Sequence, residues 1–148
     1  MSVRSFTKIW LHLVWATHNR EKSLIDKEFR KKLSFHILEY SKSKGIFMRT
    51  NYVNSDHVHA LIDLPTNLTI EEAVRLIKGE SSFWINKHVD YKFNWGKGYG
   101  AFSVSPSNLD KVIRYIENQE AHHRKLSFTE EYDRFVSVYE QGAFKENK

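Results

Sequence analysis

The stretch 55-SDHVHALIDL-64 decides the fold. A strand alternates its side chains, so residues two apart point the same way. His57, His59 and Leu61 therefore share one face. Val58, Ala60, Ile62 and Leu64 take the other and form an unbroken apolar edge. A strand with one such edge packs under helices on that side. The two imidazoles are left to the opposite face, where a ligand can approach.

Working outward, Asn54-Ser55-Asp56 is turn chemistry. Asp56 reads either as a turn residue or as a partner that orients the histidines. Ile46 to Val53 precedes the turn as a second β-rich run, and Ile9 to Trp15 (IWLHLVW) is a third, opening the domain. Between them, 27-KEFRKKLSFHILEYSKS-43 places Phe29, Leu33, His36, Ile37 and Tyr40 at helical spacing, and Lys44-Gly45 stops it. After Pro65, Thr69 and Glu72 form a capping box that opens a helix to about Lys87. Gly100 to Ser105 reads as the last strand. Ser107, with Asp110 three residues on, caps a third long helix. Phe128 to Glu140 reads as a short fourth helix, and 141–148 as a frayed tail.

The order is β-α-β-β-α-β followed by helices, which is the ferredoxin-like, split βαβ pattern of an α+β protein. The expected architecture is an antiparallel sheet with two helices on one face and a later helix on the other. At 148 residues this is one domain, 1–148, long enough to bury a core without disulfides. The absence of cysteine excludes thiolate chemistry and suits a reducing cytoplasm. KIWLHLVWA is too short to span a bilayer, so no membrane partner is expected. The net charge of +5 is compatible with a polyanionic partner.

Two neutral imidazoles side by side can share one divalent ion, although such a pair in a strand also occurs without metal. The third helix supplies further candidates. In 107-SNLDKVIRYIENQEAHHRK-125, Leu109, Val112, Ile113 and Ile116 form an apolar stripe. Tyr115 and Gln119 stand four apart beside it, one above the other on a continuous helix. A helix laid on the open face by this stripe holds both over the sheet.

Taken together, the chain resembles the single-tyrosine HUH transposases of the insertion-sequence-200-like family, which include relatives associated with repetitive extragenic palindromes (REP). DHVH at 56–59 matches the HUH motif and YIENQ at 115–119 the tyrosine helix. HLVWATHNR at 12–20 and WGKGYGAFSVS at 95–105 are similar to further family segments. The resemblance implies a DNA transposase that cuts and rejoins single-stranded DNA, often at hairpin ends. It implies Tyr115 as nucleophile, with His57, His59 and Gln119 as ligands of Mg²⁺ or Mn²⁺. It also implies a homodimer, often with the tyrosine helix over the partner's histidines. A DNA-bound location at the bacterial nucleoid follows. No P-loop is present, so no nucleotide cofactor is expected.

Other residues are candidate DNA contacts. His12 alternates with Leu11 and Leu13 and can share the histidine face. His18, Arg20 and Lys22 form a basic loop after the first strand. Lys78 lies on the second helix, and His122 and His123 follow Gln119. Each also has a bland reading, as a packed strand histidine or a solvated cation. Three rival readings are a domesticated nicking or binding protein, a non-catalytic module like the RNA-recognition motif, and a metal-dependent hydrolase that uses water. The second lacks its aromatic signature, since the central strand carries histidines there.

Overall fold

The computed structural model describes residues 5–123 and 126–146, without the side chains of 122, 123 and 141–146. The elements are β1 (Trp10–Ala16), α1 (Lys27–Ser43), β2 (Phe47–Val53), β3 (His57–Asp63), α2 (Ile70–His88), β4 (Gly100–Ser103), α3 (Leu109–Glu117), α4 (Gln119–His123) and α5 (Phe128–Glu146). The chain divides into two compact units, Met1–Glu117 and Asn118–Lys148.

The first unit contains the sheet, in the order β2-β3-β1-β4 with every pair antiparallel. β3 is inserted between β1 and β2, and β1 between β3 and β4, so both helical crossovers skip a strand. This is the expected split βαβ topology. Leu11, Leu13 and Trp15 of β1 join Val58, Ala60 and Ile62 of β3 beneath Leu33 and Ile37 of α1 and Ala73, Val74 and Ile77 of α2. Each such buried aliphatic side chain stabilises the fold by roughly 1.5–3 kcal/mol. The opposite face carries a smaller core in which Leu61 packs with Ile113 and Ile116, flanked by Leu109 and Val112. The stripe on α3 thus closes over the sheet as its spacing requires.

The helix ends follow their sequence signals. Asp26 caps α1 by accepting from the Glu28 N–H at 3.0 Å. Gly45 adopts φ +73° just beyond its end, where a side chain would be strained. The Thr69–Glu72 capping box is complete in both directions.

The third helix is shorter than the sequence suggests. Pro106–Asn108 form a 3-10 turn, so α3 begins at Leu109 rather than after Ser107. It ends at Glu117, a turn occupies Asn118, and Gln119 opens a separate helix. Asn competes with the helical backbone through its own side chain and favours such ends. The expected continuous helix is therefore interrupted at Asn118. Within the second unit, α5 continues to Glu146, so Gly142 falls inside the helix rather than ending it. The helix thus runs past Glu140, where the sequence spacing ends it.

Candidate metal centre and nucleophile

β3 carries His57 and His59 on the open face, and both are fully buried. Their ring centroids are 5.1 Å apart. β1 runs beside β3 with His12 opposite Leu61 and Val14 opposite His59. Directly opposed residues share a face, so His12 lies diagonally beside His59. His12 Nε2 is 2.8 Å from His59 Nδ1, and the two rings stack at 5.0 Å. One of these nitrogens donates and the other accepts.

His57 is held by its own turn. Its Nδ1 lies 2.6 Å from Asp56 Oδ1, and its Nε2 lies 3.1 Å from the Asn54 amide nitrogen. The carboxylate accepts the Nδ1–H and leaves the lone pair on Nε2. Asp56 is in turn fixed through its carbonyl, which accepts from the Thr17 N–H at 2.8 Å. The orienting reading of Asp56 is thus the one its geometry supports. Carboxylate-to-histidine and histidine-to-histidine bonds of this kind are how proteins aim imidazoles at an ion. The donor set fits a divalent cation for that reason.

Tyr115 completes the group within the same unit. It is half-buried on α3, beside the stripe that holds α3 to the sheet. Its ring centroid is 5.8 Å from His59 and 6.3 Å from His12, edge-on to both. A single chain therefore brings its own tyrosine to its own histidines. The trans arrangement expected from the resemblance is not needed to assemble them.

Gln119 is buried and opens α4 in the second unit, where Glu131 of α5 is buried as well. The side chains of His122 and His123 lie outside the described residues.

The remaining candidates lie on the loop after β1 and on α2. His18, Arg20 and Lys22 are exposed on the loop after β1. Asn19 and Arg20 both have positive φ, +54° and +55°, a region that non-glycine residues enter at a cost. Lys78 donates to the carbonyls of Gly96 at 2.7 Å and Gly98 at 3.1 Å. Its burial depresses its pKa below the usual lysine value. It ties α2 to the loop before β4. A Cβ at Gly96 would stand 3.2 Å from the Thr17 carbonyl oxygen, tighter than ordinary contact. Trp95 and Phe102 are buried, while Tyr99 is partly exposed.

Sequence reasoning also passed over Asn54 and Tyr52. Asn54 read as turn chemistry only, although its place three residues before His57 is what lets its amide reach the ring. Tyr52 faces His59 directly across the β2–β3 pair. The period of two along β2 would have placed it on the histidine face.

Comparison with known proteins gives a consistent answer. The family model described as "Transposase IS200 like" matches residues 5–119. The ISDra2 transposase TnpA of Deinococcus radiodurans is 26% identical over 115 residues, covering 73% of this chain and 81% of that protein. A crystal structure of a candidate transposase from Deinococcus radiodurans R1 superposes with TM-score 0.61 at 27% identity, covering 80% of this chain and 97% of that one. A REP-associated tyrosine transposase solved bound to a REP hairpin superposes with TM-score 0.59 at 16% identity, covering 83% and 74%. That last likeness shows the shared fold. Among the described residues, no helix is long and apolar enough to cross a membrane.

Proposed function

The chain belongs to the IS200-like transposase family, and we propose that it cuts and rejoins single-stranded DNA through a covalent link to Tyr115. The observation that carries this reading is the Tyr115 ring standing 5.8 Å from His59, which is stacked on and bonded to His12 and meets His57 edge-on. A tyrosine aimed at paired imidazoles on an otherwise apolar face has the chemistry of a nucleophile beside a cation site.

The Tyr115 hydroxyl oxygen attacks the scissile phosphorus. A P–O(Tyr) bond forms, the bond to the 3′ oxygen breaks, and the tyrosine's proton ends on the released 3′-hydroxyl. A 5′-phosphotyrosine results, which keeps the phosphodiester linkage for a second transfer. In rejoining, a 3′-hydroxyl attacks that phosphorus and returns the proton to tyrosine. Phenol, with an ordinary pKa near 10, leaves more readily than a sugar hydroxyl.

Mg²⁺ or Mn²⁺, when bound, supplies Lewis-acid polarisation of the phosphate oxygens. His57 would ligate through Nε2, because Asp56 occupies Nδ1. His59 would ligate through Nε2, its Nδ1 being engaged by His12. Mg²⁺ prefers oxygen donors, and the amide oxygen of Gln119 is the third ligand that the family resemblance implies. The imidazole pair makes Mn²⁺ at least as good a fit.

The partner is single-stranded DNA, with hairpin ends as in the family, met in the cytoplasm. His18, Arg20 and Lys22 present charge to its backbone. Two copies would pair to bring two strand ends together, each with its own Tyr115 over its own histidines. Incubation of the protein with a labelled single-stranded hairpin and Mn²⁺ tests the reading. A denaturation-resistant DNA–protein adduct that excess EDTA prevents is expected. Free cleaved ends with no adduct would instead assign water as the nucleophile.

A further inference from the structure

Two loops meet at the end of the sheet where His57 stands. The first, 16–22, leaves β1, and the second, 92–99, leads into β4. A backbone ladder joins them. The Gly96 N–H donates to the Ala16 carbonyl at 2.8 Å, the His18 N–H to the Asn94 carbonyl at 3.0 Å, and Thr17 bridges Trp95. The first loop is also bonded to the His57 turn. The Thr17 N–H donates to the Asp56 carbonyl at 2.8 Å, and the Leu24 N–H to that of Ser55 at 3.0 Å. Ala16 opposes His57 in the β1–β3 register. His57, Ala16 and Gly96 therefore stand in a row across three neighbouring backbone segments. Opposed residues share a face, so this row lies on the histidine face. Trp95, one residue earlier, turns the other way and joins the core under α1 and α2.

The second loop bends at Lys97. The carbonyls on either side of this residue, those of Gly96 and Gly98, both accept from Lys78 Nζ, at 2.7 Å and 3.1 Å. Gly98 has φ +84°, which permits the bend. The acceptors of the bend are thus drawn inward onto α2 and met there by a cation, while Lys97 is left exposed. The DNA contact expected of Lys78 passes in this geometry to Lys97. The two loops hold four Lys or Arg residues, Arg20, Lys22, Lys92 and Lys97, against one acid, Glu21. That surplus of positive charge suits a polyanion.

We infer that Lys97 binds a backbone phosphate of the DNA strand beside the cut, at the same end of the sheet as the loop that carries Arg20. This deepens the single-strand reading above and rests on it. Gly96 lies two strand spacings from His57, roughly 10 Å. Stacked nucleotides follow one another at about 3.4 Å, so the phosphate concerned lies within about three linkages of the one that Tyr115 attacks. The contact carries no sequence information. It fixes the register of the strand over the histidines and hence which phosphate faces Tyr115.

Equilibrium binding of a labelled single-stranded hairpin tests the contact, measured across a salt series in the Tyr115→Phe parent so that no cutting intervenes. Lys97→Gln should make the slope of log K against log salt shallower by about 0.7, the share of one phosphate on a single strand. Lys42→Gln, on α1, should leave the slope in place. A scan with single neutral methylphosphonate linkages should find one position, within about three linkages of the cut, that weakens the parent but not Lys97→Gln. An unchanged slope in Lys97→Gln, or a scan in which no linkage near the cut couples to it, overturns the contact and leaves the proposed function standing. Equal flattening by Lys42→Gln would assign the change to overall charge and overturn the contact as well. Failure of the parent to bind single strands at all overturns the proposed function and the contact with it.

Discussion

At the scale of single residues, the site is built from polar side chains that hold one another. Asp56 sets the tautomer of His57, and His12 holds the Nδ1 side of His59. Removing such an orienting partner typically lowers metal affinity 10–100-fold. Asp56→Ala and His12→Phe should each show that loss in Mn²⁺ titration calorimetry, with the fold retained by circular dichroism. Wild-type affinity in both would mean that strand packing alone aims the rings. The histidines were legible in the sequence because the period of two assigns faces without any structure. Asn54 was not, because its reach to the His57 ring depends on how the turn folds, which local pattern does not carry.

Secondary-structure elements place these residues, and their boundaries are energetic. The capping box on α2 satisfies two backbone donors, so Thr69→Ala should cost about 1 kcal/mol in urea unfolding. The same box makes α2 sensitive to acid. The Thr69 N–H and hydroxyl hold the Glu72 carboxyl below its ordinary pKa of 4.5. A carboxyl depressed on folding contributes its stability fully above the unfolded value and loses it as pH falls through the folded one. Glu72→Gln should therefore narrow the stability gap between neutral pH and pH 3, and an unaltered profile would remove the box as its source. The loop after β1 is a second such case. Arg20 sits at φ +55°, so Arg20→Gly should relieve strain and stabilise the fold by up to about 1 kcal/mol. It should also weaken single-strand binding, because the strained turn presents a cation. Strands and long helices were readable from periodicity and caps. The break at Asn118 was not, because the sequence there keeps helical spacing through Gln119 while the backbone turns.

On the scale of the whole molecule, an open sheet face closed by one short helix lets a single chain unite histidines and tyrosine. That placement rests on the apolar stripe of α3, which the sequence displayed plainly, whereas cis or trans use of Tyr115 depends on assembly. Mixing Tyr115→Phe with His57→Ala/His59→Ala should give no recovery of cleavage if each chain uses its own tyrosine, even when the subunits exchange. Partial recovery would instead assign the centre to two chains. The most direct test of the central claim is to trap the reaction on a labelled single-stranded hairpin with Mn²⁺ and identify the modified peptide by mass spectrometry. The account predicts a 5′-phosphate ester on Tyr115, absent in Tyr115→Phe although that variant folds and binds the hairpin. An adduct that persists in Tyr115→Phe, or maps to another residue such as Tyr99, would contradict it.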